Sequence, residues 1–326
     1  MKIAVDAFGG DNAPLAPIKG AALAVAEYGI EVVLCGDENK IKSVAAENGI
    51  PLTGITVENA DGVIEIEDDP SDIVKEKRGC SLGRTLELVA EGGADAAVSG
   101  GSTGALVVGG TFIVKRIKGI KRCALAAIIP SAANYYLMLD VGANPEVKPE
   151  YLRQFAVMGS AYFEKVMGVD DPSVALLNIG AEECKGTDLQ REAFELLKDA
   201  PVNFVGNIEG RDLPEGRVNV IVTDGFSGNV ALKTIEGVSA SLFSMIKKML
   251  LKNTKTKLAA AMLKSGLREL KSKTDYSLIG GAPLLGTAKP VFKAHGSSNE
   301  IAFKNAIHNA WLFAKNGVIE QIEGNL

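Results

Sequence analysis

Only four cysteines stand in this chain, Cys35, Cys80, Cys123 and Cys184, and no two of them form a CxxC pair. That scatter excludes a disulfide framework and supplies no structural zinc motif. Aromatic residues are scarce at 6%. No apolar run reaches the roughly 18 residues that a membrane-spanning helix needs. A basic excess is missing too: 35 lysines and arginines stand against 40 aspartates and glutamates, a net charge of −5. A general nucleic-acid binder needs the opposite balance, because it must neutralise phosphates. The opening MKIAVDAFGG meets Asp6 after three apolar residues. No signal peptide is therefore expected, and the cytoplasm is the expected location. No internal repeat, low-complexity tract or flexible linker interrupts the chain, so residues 1–326 are expected to form a single unit.

Glycine, in contrast, is plentiful at 36 residues, within a composition that is 47% hydrophobic and 23% charged. This is the profile of a packed globular protein. Many glycines fall where apolar runs end. Strands are expected at 3–5, 31–35, 95–99, 124–129, 136–140, 174–178, 202–205 and 218–223. Helices are expected at 15–28, 39–48, 149–167 and 298–315, after the loops at 100–104 and 180–187, and from about 227. Continuous apolar strands alternating with helices imply an α/β fold with a mostly parallel sheet covered on both faces. Ligands in such sheets bind beyond the carboxyl ends of the strands, where these glycine loops lie.

Four loops carry the candidate chemistry. Gly100, Gly101, Ser102, Thr103 and Gly104 follow a strand and open a helix. Their backbone N–H groups and the helix dipole suit an anion. The same letters fit G-x-S-x-G, and Ser102, Asp224 and His295 follow the Ser–Asp–His order of some hydrolases. A plain tight turn of small residues fits as well. The second loop, GAEECKGT at 180–187, fails as a P-loop because Gly must precede Lys. Thr187 and Gln190 make a capping box there, which puts Lys185 beside a helix N-terminus. It can hold phosphate there or simply be solvated. In the third, TDGFSGN at 223–229, Asp224, Gly225 and Ser227 form a flexible loop. Ser227 is expected to cap the next helix, with Asn229 in its first turn. The Asn229 amide can donate to a phosphate oxygen or an oxyanion, or the segment is a cap and nothing more. The fourth, KAHGSSN at 293–299, holds His295, one of two histidines, as an acid–base or phosphate-contact candidate. His308, inside the last helix, reads as structural.

Two basic stretches stand apart. VKRIKGIKR at 114–122 carries Lys115, Arg116, Lys118, Lys121 and Arg122. It is either a solvated face or a dock for an acidic protein. Residues 243–274 carry lysines and one arginine together with apolar residues at helical spacing, among them Met249, Leu250, Leu258, Met262 and Leu263. This reads as a helical hairpin with an apolar and a basic face, suited to an anionic membrane surface or to packing on protein. Asp6, Asp11, Asp140 and Asp224 fall at strand ends, but no metal-ligand spacing marks them.

Taken in order, VDAFGGDNAP, DAAVSGGSTGAL, LDVGANP, LLNIGAEECKGT, FVGNIEGRD, VIVTDGFSGNVALKT, GGAPLLG and KAHGSSN resemble the PlsX-type phosphate acyltransferases from end to end. Two positions differ from the usual pattern: Phe8 where relatives have Met, and Ser102 where they have Asn. The resemblance implies a three-layer α/β fold similar to isopropylmalate dehydrogenase and phosphotransacetylase. It implies a homodimer with peripheral membrane association and no NAD or metal cofactor. It implies transfer of a fatty acyl group from acyl carrier protein to inorganic phosphate, feeding a downstream glycerol-phosphate acyltransferase of phospholipid synthesis. On that reading Lys185 binds phosphate, Asn229 is an oxyanion or phosphate donor, and the 100–104 backbone is an anion cradle with Ser102 and Thr103 hydroxyls. His295 positions phosphate or protonates the leaving thiolate, and the small-residue loop at 280–286 lets an acyl chain approach. The alternatives are a phosphotransacetylase-like enzyme using acyl-CoA, a serine thioesterase on Ser102, Asp224 and His295, and a non-catalytic membrane scaffold.

Overall fold

The computed structural model describes residues 1–267 and 280–326. Its first half alternates strand and helix: β1 (Lys2–Asp6), α1 (Leu15–Tyr28), β2 (Glu31–Gly36), α2 (Glu38–Glu47), β3 (Ile55–Asn59), α3 (Ser81–Ala90) and β4 (Ala96–Ser99). The short α4 (Thr103–Gly109) runs into a single π-type turn, Gly110–Val114. There follow β5 (Ala124–Pro130), β6 (Tyr135–Leu139), α5 (Pro149–Met167), β7 (Ser173–Asn178), α6 (Asp188–Lys198), β8 (Asn203–Glu209) and β9 (Val220–Val222). The long α7 (Gly225–Leu250) and α8 (Thr254–Met262) come next. The chain closes with β10 (Ala282–Leu285), β11 (Val291–Lys293), α9 (Glu300–Lys315) and α10 (Val318–Gly324).

The strands form one sheet in the order β3-β2-β1-β4-β11-β10-β5-β6-β9-β7-β8. Each flank is parallel: β3 to β11 on one side, β6 to β8 on the other. Between them the pairs β11–β10, β10–β5 and β5–β6 are antiparallel. The sheet is thus two parallel lobes joined by an antiparallel seam. Alternation along the strands builds a core on each face. Ile3 and Val5 of β1 join α1, α2 and α9, while Leu137 and Leu139 of β6 join α5 on the same side. On the other side, Ala4 packs with α3 and α4, and Tyr136 and Met138 pack toward Leu232 and Ile235 of α7. This is the three-layer arrangement expected.

Several boundaries follow from local chemistry. α1 stops at Gly29 in the left-handed region (φ 65°). α5 starts on Pro149 and ends at Gly168 (φ 70°). Pro at the first helical position and Gly just past the last are the usual signals.

Four expectations need correction. Residues 280–286 are not all loop, since 282–285 are strand β10. Pro283 is accepted inside the sheet because β10 changes partners along its length. Ala282 and Pro283 pair with β11, whereas Leu284 and Leu285 pair with β5. The missing N–H therefore breaks no ladder on the far side. The helix after β9 starts at Gly225, and Asp224 rather than Ser227 is its cap: Asp224 Oδ1 accepts from Ser227 N at 2.8 Å. Asn229 consequently lies in the second turn. Lastly, the first arm of the expected hairpin is the end of a 26-residue helix. The turn at Leu251, Lys252 and Asn253 and helix α8 are present, while residues 268–274 of that expectation lie outside the described residues.

Candidate active site

Loops leaving the carboxyl ends of β1, β4 and β11 form one cluster. Asp6 ends β1 and is fully buried. Its carboxylate accepts from Ser99 Oγ at 2.6 Å and from Phe8 N at 3.1 Å. Ser99 Oγ in turn accepts from Gly101 N at 3.0 Å. Burial pushes the Asp6 carboxyl above its ordinary range, and the Ser99 hydrogen bond pulls against that. Lys293, at the end of β11, is buried, and its ammonium donates to Gly100 O at 3.0 Å and Ala294 O at 2.5 Å. Desolvation lowers its pKa to about 8, with Asp6 and Asp11 acting the other way. Lys293 thus ties the 100–104 loop to the 293–299 loop. Asp11 N donates to Gly296 O at 2.8 Å, and Asn12 Nδ2 donates to Ser297 O and Ser298 O, so the loop after β1 joins the same knot.

Ser102 is buried and caps α4, its Oγ accepting from Ala105 N at 3.4 Å. Gly101 N is engaged by Ser99 Oγ, so that donor of the expected anion cradle is turned inward. His295 is held by its neighbour: Nδ1 accepts from Ser297 N at 3.3 Å and lies 2.8 Å from Ser297 Oγ. With Nδ1 accepting, the neutral ring carries its proton on Nε2. Burial, and next the Lys233 cation, lower the His295 pKa.

The second cluster lies at the ends of β6 and β9. Asp140 is buried at the end of β6. Its carboxylate accepts from the N–H groups of Leu125, Gly142, Ala143 and Asn144 at 2.7–3.2 Å, and from Asn144 Nδ2 at 2.8 Å. Asn144 O accepts from Gly225 N at 2.8 Å, which docks the start of α7 on this loop. Gly228 must be glycine, because a Cβ there would collide with Asp140 O. Lys185 belongs to the loop after β7, the neighbour of β9. It is exposed, with its backbone fixed by Glu182 O and by Asn178 Nδ2. The capping box stands beside it, with Thr187 N donating to Gln190 Oε1 at 3.1 Å.

α7 spans the two clusters. It starts against Asn144, and a Cβ on Gly142 would come within 3.8 Å of Asn229 Cγ. One turn on, Lys233 forms an ion pair with Glu236 (2.8 Å), and both charges act on His295 of the first cluster. Positions i and i+4 share a helix face, so Asn229 and Lys233 lie on one side of α7. The three residues of the Ser–Asp–His order do not make a relay. Ser102 Oγ serves α4, Asp224 Oδ1 serves α7, and His295 Nδ1 serves Ser297.

Residues 1–321 match a family described as "Fatty acid synthesis protein". Relatives named phosphate acyltransferase align along the whole chain. One from Clostridium botulinum (strain ATCC 19397 / Type A) is 47% identical, covering 100% of this chain and 98% of its own. One from Oceanobacillus iheyensis is 51% identical over 95% of this chain and 92% of its own. This chain belongs to the phosphate acyltransferase family. It is an acyltransferase, as the motif order implied. Among solved structures, a phosphotransacetylase from Streptococcus pyogenes matches with a TM-score of 0.66 at 21% identity, covering 97% of this chain and 94% of its own. A branched-chain phosphotransacylase from Enterococcus faecalis matches at 0.60 and 15%, covering 97% and 99%. These likenesses establish the fold.

Within this acyltransferase, sequence reasoning weighed Asp140 only as a metal ligand, and it missed Asn144, Lys233, Glu236 and Lys293 as residues that build the candidate site. LDVGANP and VALKT were visible as motifs, and the i, i+4 spacing of Asn229 and Lys233 was the available signal. Lys293 opens the KAHGSSN motif, but only the fold reveals that it is buried.

Proposed function

We propose that this acyltransferase moves a fatty acyl group from an acyl-carrier-protein thioester to inorganic phosphate, giving acyl phosphate. The observation that carries the reading is the course of α7, which is capped in one lobe, sets Asn229 beside Gly142 there, and carries Lys233 within electrostatic reach of His295 of the other. Two loop clusters that between them offer an amide, an imidazole and a lysine suit a dianion beside a polarised carbonyl.

A phosphate oxygen attacks the thioester carbonyl carbon. The C–O bond forms, the carbonyl electrons move to oxygen, and the tetrahedral species collapses with cleavage of C–S. The thiolate leaves and takes up the proton that the attacking hydrogen phosphate gives up. No protein nucleophile is needed. Holding the two reactants in attack geometry supplies about 7–11 kcal/mol of the barrier. Asn229 is the oxyanion donor, a role worth about 2.7–4 kcal/mol. Lys185 approaches from the β7 end and neutralises phosphate. His295, neutral with its proton on Nε2, fits the role of positioning phosphate by a hydrogen bond. Ser102 and Gly101 shape their loop from within, which leaves Thr103 as its outward hydroxyl.

The same proposal extends to assembly. On α7, Ala231, Ile235, Val238, Leu242, Met245 and Met249 alternate spacings of four and three, the pattern of a helix seam. Val238, Leu242, Met245 and Met249 are exposed. Ala231 and Ile235 of that stripe pack on the sheet, and we assign its exposed middle, Val238, Leu242 and Met245, to a second copy of this chain. α8 has no buried residue, and Leu258, Met262 and Leu263 are exposed among Lys255, Lys257 and Lys264. We assign α8, with the adjoining Met249–Leu250 end of α7, to an anionic lipid surface. Among the described residues no helix is long and apolar enough to cross a membrane.

The test is to incubate the purified protein with a long-chain acyl carrier protein, with and without phosphate, and to follow free thiol. Phosphate-dependent release with a hydroxylamine-trapped acyl phosphate supports the reading. Equal release without phosphate, or release from acyl-CoA alone, rejects it.

A further inference from the structure

The basic stretch after α4 is built in an unusual way. α4 widens into the π-type turn at Gly110–Val114, a local form found mostly at functional sites. Lys115 then adopts φ 71°, ψ 172°. That region is essentially restricted to glycine, and a side chain there costs about 1–3 kcal/mol. The conformation is imposed from outside. Lys115 O accepts from Ala288 N at 2.8 Å, Arg116 bridges Thr287, and Ile117 N donates to Gly286 O at 3.0 Å. A lysine kept where glycine would sit without strain points to a use for the charge.

The surface around it has the make-up of an interface. Phe112 is 66% exposed, and a shallow depression of about 470 Å³ runs beneath it, lined by Lys115, Arg116, Ile117, Lys118 and Ile120 among others. Lys115, Arg116, Lys118, Lys121 and Arg122 are all exposed. None of the ion pairs among the described residues involves any of the five. In a chain of net charge −5, residues 111–122 hold five cations and no acid. An aromatic centre with a charged rim is the usual anatomy of a specific protein contact.

The patch also leads to the site. Arg122 opens a second depression, of about 520 Å³, whose walls include Ala143, Asn144, Pro145 and Glu146. Asn144 is the residue that bonds Asp140 and seats the start of α7. Its Nδ2 also donates to Cys123 O at 2.7 Å, so the residue that follows Arg122 is bonded directly to the site loop.

We propose that Phe112, Lys115, Arg116 and Lys118, continued through Lys121 and Arg122, form the docking face for the acidic carrier protein that delivers the acyl thioester. This rests on the donor named under the proposed function. Acidic side chains of the carrier meet the five cations, Phe112 takes an apolar contact at the centre, and the arm bearing the thioester enters past Arg122 toward Asn144. Complementary charge of this kind acts chiefly on encounter rate and salt dependence.

The experiment compares wild type with K115E/R116E/K118E and, separately, F112A. Two donors are used: acyl carrier protein and the same acyl group on a small pantetheine thioester. For the triple variant, kcat/KM with the carrier falls at least about tenfold and loses most of its dependence on ionic strength. The small donor and the KM for phosphate are unchanged. A carrier bearing a non-hydrolysable amide in place of the thioester is titrated in parallel, and its Kd rises by a similar factor. This arm decides docking even if phosphate-dependent turnover fails for every donor. Unchanged carrier affinity overturns the proposal, as does equal loss with both donors. Loss of binding to anionic vesicles with carrier affinity intact would give the patch to lipid and overturn it too.

Discussion

Ser102 shows how one residue's role changes once its neighbours are known. As the cap of α4 it occupies a position where Asn and Ser rank nearly equally. The departure from the Asn of relatives is therefore a like-for-like exchange of caps. Ser102→Asn should leave stability and turnover unchanged. Ser102→Ala should cost about 1 kcal/mol of stability in a denaturant melt without abolishing thioester turnover. Complete loss of turnover in a folded Ser102→Ala protein would instead demand a chemical role for the hydroxyl. Lys293 yields a pH prediction. Burial sets its folded pKa at about 8, below the roughly 10.4 of an unfolded lysine. Between those values the unfolded chain binds more protons, so stability rises with pH across the window. The contribution is present above the unfolded pKa and is lost as pH falls through about 8. The difference in unfolding free energy between wild type and Lys293→Met should therefore grow in favour of wild type from about pH 8 to about pH 10.5. A flat difference would mean that the ammonium is as well solvated as in the open chain.

At the scale of elements, the proposed assembly has α7 and α8 divide the exposed apolar surface between two jobs. Val238→Glu with Leu242→Glu places charge in the α7 seam, so the particle mass by light scattering should fall to that of one chain. Leu258→Glu with Met262→Glu should leave the mass alone and release the protein from anionic vesicles. The division is wrong if the second pair dissociates the particle, or if it stays fully bound to lipid. Elements of this length were also the most legible in the sequence. Helices α1 and α5 were readable to the residue because Gly29, Pro149 and Gly168 mark their ends. β3 went unread because the segment from Gly49 to Gly79 is polar and broken by turns. β10 and β11 were hidden by Gly280, Gly281, Pro283 and Gly286, whose turn signals outweigh four paired residues. The antiparallel seam followed from those same residues, so the sequence pattern implied a parallel sheet without showing where the two lobes join.

At the scale of the whole molecule, that join is what the proposed site depends on. Each lobe has a buried aspartate at a strand end, Asp6 or Asp140, organising the loop that follows, yet neither loop cluster alone surrounds a carbonyl and a phosphate. The loop motifs carrying Lys185, Asn229 and His295 were legible because their letters are specific. Their relation across the cleft was not, because it depends on α7 reaching from Asn144 to His295. If these residues act on one tetrahedral species, substitutions in opposite lobes must be coupled in catalysis although the side chains are far apart in the chain. Lys185→Ala and His295→Ala should add in unfolding free energy to within about 0.5 kcal/mol, as distant sites do. In kcat/KM the double variant should be markedly less impaired than the product of the two single losses, because residues that work as a unit are not additive. Additive losses in both quantities would mean that Lys185 and His295 serve separate steps, and the shared cleft would then have to be redrawn around Asn229 and Lys233 alone.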